Sequence, residues 1–452
     1  QESVERIKQT ELEDFLGNRC NVASQKQAIE QLNAKTAIVY PIILPKRIEL
    51  LVSTAHGMWQ FRSEVESNQV RSLTQKFARN LRNRVPAGMS TKLYQWFVAP
   101  AERLFVQQGI DTLVYVPDGV LRLMPMAALS DGKQYLIEKY AIATSPGLTL
   151  FDAKPQSRKT LSTLLLGMST PGSVVEKLPF KAIEGLVSAS APSANDAETA
   201  QQIPKDQTTQ IAQKTQNQES SAQAPDSHVS SRSVSENSRA LRELLHNAQG
   251  DMNVLMRSPA FIAGMKEQLK LPGVRHEVDM LSKQGLQSKL LLDDAFTLAN
   301  LKQEVSKTPY AIVHIASHGV FGASAQESFL MTYDELLHLD DLEQLLHSQR
   351  QSTQPIELLT LSACQSAEGD DRAPLGFAGM ALKAKARSAI GTLWPISDEA
   401  AYALMTQFYQ NLQQGNMSKV KALQQAQLAL LKDEQMKLPF YWSPFILLGN
   451  WL

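Results

Sequence analysis

Short apolar runs alternate with amphipathic segments along most of this 452-residue chain. Runs such as AIVHIA, IELLTL and FILLG have the length of buried strands, whereas GVRHEVDMLSKQG and EAAYALMTQFYQNLQQG carry apolar residues at helical spacing. Residues 62–108 also have helical spacing, interrupted near Pro86 and at Pro100. This order predicts an α/β fold, with a mainly parallel sheet and helices on both of its faces.

Two stretches depart from this alternation. Residues 1–35 are polar with scattered apolar positions, which predicts a helical lead-in that could be the end of an upstream repeat region. Residues 188–238 have almost no large apolar side chains and cannot offset the entropy of ordering. With the weak helical pattern that comes after them, they form a predicted, largely disordered insert over 188–270. This leaves a smaller N-terminal α/β half over 36–187 and a second half over 271–452.

Composition narrows the classes of function. Lys and Arg number 45 and Asp and Glu also 45, so no net charge recruits nucleic acid. No apolar run reaches the roughly 18 residues of a membrane span, and the two cysteines cannot build a disulfide framework. So few cysteines favour the cytoplasm, although the sequence does not give the compartment. Because the chain begins with Gln1, we expect the natural N-terminus to be missing.

A histidine and a cysteine follow two of the predicted strands. His318 and Gly319 come after AIVHIAS, and Cys364 comes after IELLTLSA. In parallel sheets, reactive groups collect at the carboxyl ends of strands, so we expect the two side chains to be neighbours. An imidazole activates a thiol by taking its proton or stabilising the thiolate. The backbone N–H groups of Gly319 and Cys364 could bind an oxyanion, since a residue without a Cβ permits close approach.

These segments resemble a known family, the CHAT domain, which is a caspase-like module of clan CD that is often fused to tetratricopeptide repeats. The resemblance rests on AIVHIASHGVF, LLTLSACQSAEG, SAIGTLWPISDEAAYALMTQFYQNL and FYWSPFILLGNW, with VYVPDGVLRLMPMAAL and LPGVRHEVDML upstream. It runs from about residue 36 to the end, apart from the insert. It implies a caspase-like sandwich whose pseudo-caspase-like half is 36–187 and whose catalytic half is 271–452.

The resemblance also implies an activity and its residues. It implies a cysteine endopeptidase that cleaves a protein substrate through His318 and Cys364, with an oxyanion hole from the backbones of Gly319 and Cys364. No cofactor or metal is implied, and a regulatory partner could act through an upstream helical repeat region. The family is similar to separases, whose pocket for a basic residue uses the aspartate of Trp-x-x-x-Asp. That position is Asp398 here, preceded by Ser397, where many members carry a second acidic residue.

Several other interpretations compete with these. Asp398 could simply begin or cap a helix. Asp371 could line the substrate cleft, on its charge near the site alone, or lie in a solvated loop. His314 lies four residues before His318 on a strand, so a packed histidine is favoured over a zinc ligand. Cys20 is expected to be a non-catalytic thiol.

Two functions of other classes are also open. A catalytically silent caspase-like scaffold should lack the cysteine or the histidine, and this chain keeps both. A thiol-dependent acyltransferase could use the same pair, although the sequence shows no acyl-carrier pocket. The basic residues of the insert raise a further hypothesis, cleavage within it by the enzyme itself or by a host protease. A tolerated surface insertion is the competing interpretation.

Overall fold

A computed structural model describes residues 2–16, 33–85, 88–150, 162–180, 182–183, 186, 258–284, 287–322, 324–347, 356–362, 364–366, 373–414 and 417–452. The chain divides into two compact units, one formed by residues 1–177 and 270–452 and the other by residues 178–269. The region from 188 to 257 lies outside the described residues, and so does the proposed cleavage within it. Cys20 and the second part of the lead-in also lie outside them.

Two sheets contain the strands. In chain order the strands are β1 (Thr36–Leu44), β2 (Arg47–Thr54), β3 (Gly57–Glu64), β4 (Thr112–Tyr115), β5 (Ala141–Thr144), β6 (Thr163–Gly167), β7 (Ser288–Leu292), β8 (Ile312–Ala316), β9 (Gly319–Phe321), β10 (Phe329–Met331), β11 (Leu336–His338), β12 (Leu358–Leu361), β13 (Cys364–Ser366), β14 (Ser388–Thr392) and β15 (Phe445–Gly449). Strands β9, β10, β11 and β13 form the smaller sheet, and the others form the larger one.

The structure describes the following helices. They are α1 (Glu2–Leu16), α2 (Ser67–Arg82), α3 (Ser90–Phe97), α4 (Ala99–Gln107), α5 (Leu136–Lys139), α6 (Pro259–Gln268), α7 (Pro272–Lys283), α8 (Leu298–Lys307), α9 (Leu339–His347), α10 (Ala373–Lys383), α11 (Asp398–Gln413), α12 (Lys419–Lys432) and α13 (Pro439–Trp442). Helix α6 belongs to the second unit, and the Ser258 hydroxyl caps it by accepting the Phe261 N–H. Within the predicted lead-in, residues 2–16 form α1.

The larger sheet contains two parallel blocks, and β2 and β3 extend it with antiparallel pairing beyond β1. Its strand order is β3-β2-β1-β4-β5-β15-β14-β12-β8-β6-β7. In the first block β1, β4, β5 and β15 are parallel, and in the second β14, β12, β8, β6 and β7 are parallel. The blocks meet where β15 pairs antiparallel with β14. Consequently, the carboxyl ends of the two blocks lie at opposite edges of one sheet, and the predicted mainly parallel sheet is confirmed.

Helices cover both faces of this sheet. Ile390 of β14 belongs to the core cluster that includes Leu404 and Phe408 of α11. The next residue, Gly391, faces the other way. A Cβ there would lie 2.7 Å from the Phe377 ring of α10, so glycine is what lets that helix approach the strand. Helices α10 and α11 therefore lie on opposite faces, as the sequence predicts.

Two parts of the fold differ from the sequence prediction. The sequence predicts a helical segment from residue 62, but residues 57–64 form β3, which pairs antiparallel with β2 at the sheet edge. Its side chains alternate between half-buried and exposed, which is the strand period. The segment between His318 and Cys364 forms β9, β10, β11 and α9. Strands of three residues are too short to show a period in the sequence.

Candidate active site

Strands β8 and β12 bring the two predicted site segments together. They are parallel neighbours, with Ile312 opposite Leu358 and Ile315 opposite Leu361. Every side chain of both strands is buried, which explains why their sequences are nearly continuous apolar runs. Both strands end at the same edge of the second block, and the histidine and the cysteine follow these ends.

Beyond this edge the same two segments pair again, in the smaller sheet. Strands β9 and β13 run parallel, and Gly319 lies opposite Cys364. Three residues separate Ile315 from Gly319, whereas two separate Leu361 from Cys364. An extra residue on one strand is the property of a β-bulge, a device that redirects side chains at the rims of sheets. His318 is the last residue of the longer connection, directly before the position opposite Cys364.

The backbone around His318 is held by β10. The Met331 N–H donates to the His318 carbonyl at 2.9 Å. The hydroxyl of Ser317, which is buried, donates to the Met331 carbonyl at 2.6 Å. The His318 side chain is half-buried and the Gly319 residue is buried. The position from which the imidazole projects is therefore fixed by hydrogen bonds on two successive residues.

For Cys364 the structure describes the backbone and its strand pairing, and the thiol lies outside what it describes. Asp371 also lies outside the described residues. The structure thus brings His318, Gly319 and Cys364 together at the level of the backbone register. Their chemical roles stay predictions.

A buried polar cluster lies directly behind the two strand ends. The Ser362 hydroxyl donates to Oε1 of Glu277 on α7 at 2.6 Å, and the same oxygen lies 3.1 Å from Nε2 of His314 on β8. The other imidazole nitrogen of His314 lies 3.2 Å from the Tyr409 hydroxyl of α11, which lies 2.9 Å from the Thr360 hydroxyl. We call these five residues the Glu277 cluster. All five are at most 2% exposed.

The cluster is shielded from water, and this shows in its electrostatics. Burial raises the pKa of Tyr409 above its ordinary value, the Thr360 hydrogen bond opposes this, and the negative charge of Glu277 adds to it. The prediction that His314 is a packed strand histidine is confirmed, because its side chain is fully buried between β8 and its two polar neighbours.

Glu277 is absent from the residues that the sequence predicts for the site, although a signal was present. On α7 the residues Val274, Val278 and Leu281 form the buried stripe, and Glu277 lies within it. A carboxylate at a core position of an amphipathic helix is costly unless it is paired, so such a residue points to a specific partner. The partner here is 85 residues away in the sequence, which explains why the sequence alone did not reveal it.

Asp398 occupies the first position of α11. The helix is capped by Ser397, whose hydroxyl accepts the Ala400 N–H at 3.4 Å. The half-buried Asp398 carboxylate instead accepts the Gly273 N–H of α7 at 2.9 Å. Burial raises the pKa of Asp398, the Gly273 hydrogen bond opposes this, and the charge of Glu277 contributes to the increase.

Metal binding and membrane insertion would each need a recognisable feature. Among the residues that the structure describes, no group of three or more His, Cys, Asp or Glu side chains is arranged to hold a metal ion. In the same described ranges, the helices are too short or too polar to cross a lipid bilayer.

The fold and site define an α/β domain with a histidine and a cysteine segment at one edge of a parallel block. The sequence model of the CHAT domain matches residues 87–450, which is most of the chain. This protein therefore belongs to the CHAT domain family. A comparison with curated proteins finds no match.

Among solved structures, the fold is similar to that of a separase. Two crystal structures of the Saccharomyces cerevisiae separase–securin complex, at 2.6 and 3.0 Å resolution, match with 9% sequence identity and a TM-score of 0.43. The match covers 95% of this chain but only 31% and 30% of the matched chains. A likeness of this size says nothing about what this chain binds or cleaves.

Proposed function

We propose that this chain is a cysteine endopeptidase domain that hydrolyses peptide bonds of a protein substrate. The observation that carries the proposal is the parallel register in which Cys364 lies opposite Gly319, the residue after His318. Neighbouring strands lie about 5 Å apart, so a side chain from each can meet over the edge of the sheet.

The chemistry follows from the two side chains. His318 takes the proton of the Cys364 thiol, and the resulting thiolate attacks the carbonyl carbon of the scissile bond. The oxyanion that forms is stabilised by the backbone N–H groups of Gly319 and Cys364. His318 then gives its proton to the leaving amine, and water hydrolyses the thioester, releasing the acid and restoring the thiol.

Specificity would come from acidic groups near this edge. Asp398 is half-buried and holds one backbone N–H, so it keeps carboxylate surface for a basic substrate side chain. We propose Asp371 as a second substrate-binding residue, on the basis of its charge alone. The helix α1 would connect an upstream region, through which a regulatory partner could act, to this domain.

The test is labelling with a thiol-directed peptide probe together with product analysis on a peptide library. Cys364→Ala should abolish labelling and cleavage, and His318→Ala should lower both about 10²–10⁴-fold, which is the usual contribution of a general base. Cys20→Ala is the control for the cysteine. His56→Ala is the control for the histidine, since exposed His56 precedes Gly57 as His318 precedes Gly319.

The products separate the competing functions. Hydrolysed amide bonds support the peptidase, and acyl groups transferred to another acceptor would assign an acyltransferase instead. Labelling that persists in Cys364→Ala would refute the role of this cysteine. A folded wild-type protein with neither labelling nor products would indicate a silent scaffold.

A further inference from the structure

Glu277 connects the two segments that carry the proposed catalytic pair. Ser362, which donates to its carboxylate, lies two residues before Cys364. His314, whose Nε2 lies 3.1 Å from the same oxygen, lies four residues before His318. A single oxygen on α7 therefore contacts both β8 and the turn after β12.

Burying the Glu277 carboxylate lowers the stability of the fold. The Glu277 side chain is buried, and a buried charge is destabilising unless partners compensate it. An apolar residue at this position would complete the stripe of Val274, Val278 and Leu281 without that cost. The carboxylate is therefore better explained by what it holds than by a contribution to stability.

The contacts behind Glu277 extend the cluster to α11. His314 Nδ1 lies 3.2 Å from the Tyr409 hydroxyl, which lies 2.9 Å from the Thr360 hydroxyl. On the other side of the ring, His314 Nε2 lies 3.1 Å from Oε1 of Glu277 without a hydrogen bond among the described residues, so this contact is electrostatic.

Among the described residues, the charged and titratable groups that face Glu277 come from two elements. His314 faces it from β8, and Tyr409 and Asp398 face it from α11. The Asp398 charge is of the same sign and does not compensate Glu277. The two groups that bind the carboxylate are thus Ser362 and His314, one from each catalytic segment.

We propose that Glu277 is a positioning residue, which sets the turn carrying Cys364 through Ser362 and the strand leading to His318 through His314. This inference rests on the proposed peptidase function. Without the Ser362 hydrogen bond, the segment that leads to Cys364 loses an attachment to α7. The thiol would then meet the imidazole less often, and less thiolate would form.

The experiment measures the alkylation rate of Cys364 by iodoacetamide between pH 5 and 10, in a Cys20→Ala background where Cys364 is the sole cysteine. The pH midpoint of this rate reports thiolate formation, and a free thiol gives about 8.5. The wild-type midpoint should be lower, and His318→Ala should raise it. Glu277→Gln and Ser362→Ala should each raise it by about one unit, a roughly ten-fold loss of rate at pH 7.

The double variant should shift the midpoint by less than the sum of the single ones, because Ser362→Ala removes the hydrogen bond that Glu277→Gln weakens by taking away the charge of its acceptor. Glu304→Gln is the matched control. Glu304 on α8 also accepts a hydrogen bond from a hydroxyl, that of Tyr310, at 2.6 Å, and it lies away from the strand ends. Its midpoint should stay at the wild-type value. Unfolded protein exposes Cys364 as a free thiol and would itself move the midpoint toward about 8.5, so only variants whose circular dichroism spectrum matches that of the wild type are compared.

The outcomes distinguish the two proposals. A wild-type midpoint at the free-thiol value, unchanged by His318→Ala, would overturn the peptidase proposal itself. A lowered wild-type midpoint that Glu277→Gln and Ser362→Ala leave in place would overturn the positioning role. If Glu277→Gln fails to fold, Ser362→Ala, which removes one hydroxyl, decides the question by itself.

Discussion

The two blocks of the larger sheet end at opposite edges, and the chain uses these edges differently. At the carboxyl edge of the first block, Lys8 of α1 donates to the Pro117 carbonyl at 3.2 Å and pairs with Asp118 at 2.8 Å. Arg122 pairs with Glu11 and with Asp118. The edge is therefore occupied by a helix that ion pairs hold in place.

At the carboxyl edge of the second block, His318 and Cys364 follow the ends of two parallel strands. Behind them lies the Glu277 cluster, whereas the first block has an apolar pocket lined by Leu121, Met124 and Met126 together with Tyr115. Parallel strands collect backbone ends at one edge in both cases. The first edge is covered by an ion-paired helix, which makes it structural. The second edge carries the backbone positions of His318 and Cys364, which makes it the candidate site.

The largest effect that tests this contrast should come from α1. Leu12 is 1% exposed, so Leu12→Ala should lower the free energy of unfolding by about 2–5 kcal/mol through lost burial and a cavity. Chemical denaturation measures it. Ile7→Ala is the control on the same helix, because Ile7 is 62% exposed and its change should have little effect. Equal effects of the two variants would show that α1 is not docked as described.

A second test compares a buried tyrosine from each block. The Tyr115 hydroxyl has no hydrogen-bond partner among the described residues, whereas the Tyr409 hydroxyl has two. Burial raises the pKa of both phenols. Tyr115→Phe should leave stability unchanged or raise it, and Tyr409→Phe should lower it by about 1–3 kcal/mol by leaving its partners unsatisfied. Thermal and chemical unfolding of both variants check this, and a loss in Tyr115→Phe would reveal a missed partner.

The smallest expected effects come from the two aspartates. Burial alone would raise the pKa of Asp118, but the charge and hydrogen bond of Lys8, with the charge of Arg122, outweigh it and lower the pKa. Asp118 therefore stabilises the fold above its ordinary pKa of 3.8, and this is lost as pH falls. The pKa of Asp398 is raised in the folded state, so its ionised carboxylate destabilises the fold as pH rises above 3.8.

Asparagine at each position should separate the two cases. At pH 7, Asp118→Asn should lose about 1 kcal/mol or less, as for a partly exposed ion pair, and Asp398→Asn should gain stability. The Asp398 difference should disappear as pH falls below about 4, whereas the Asp118 difference should persist to lower pH, because the pKa of Asp118 is lowered in the folded state. Urea denaturation at a series of pH values measures this. A gain for Asp118→Asn would contradict the ion pair with Lys8.

The sequence predicted those strands and helices whose pattern depends only on residues close together in the chain. The apolar runs of β8 and β12 and the helical stripe of α11 depend on neighbours in sequence. The Thr297 cap of α8, which a threonine directly before a helical pattern predicts, is confirmed. The placement of the histidine and the cysteine after two adjacent parallel strands is confirmed at the level of the backbone. It followed from the general geometry of parallel sheets.

The features that the sequence did not predict depend on distant partners. The carboxylate of Asp398 meets the backbone of Gly273, 125 residues away, so a local pattern could indicate only a helix start or cap. Glu277 looks like one of two acidic residues on α7 until Ser362 and His314 are placed beside it. The three-residue strands of the smaller sheet exist only because β8 and β12 bring their ends together.

The central position of β15 has a consequence for how the chain is made. This strand pairs with β5 on one side and β14 on the other, so it joins the blocks although it is the last to be synthesised. Roughly 300 residues separate it from β5. At about 5–20 residues per second, the ribosome needs on the order of 15–60 s to cover that distance. During that time the edge of β5 that pairs with β15 is unpaired, and an unpaired strand edge is a site for association with other nascent chains.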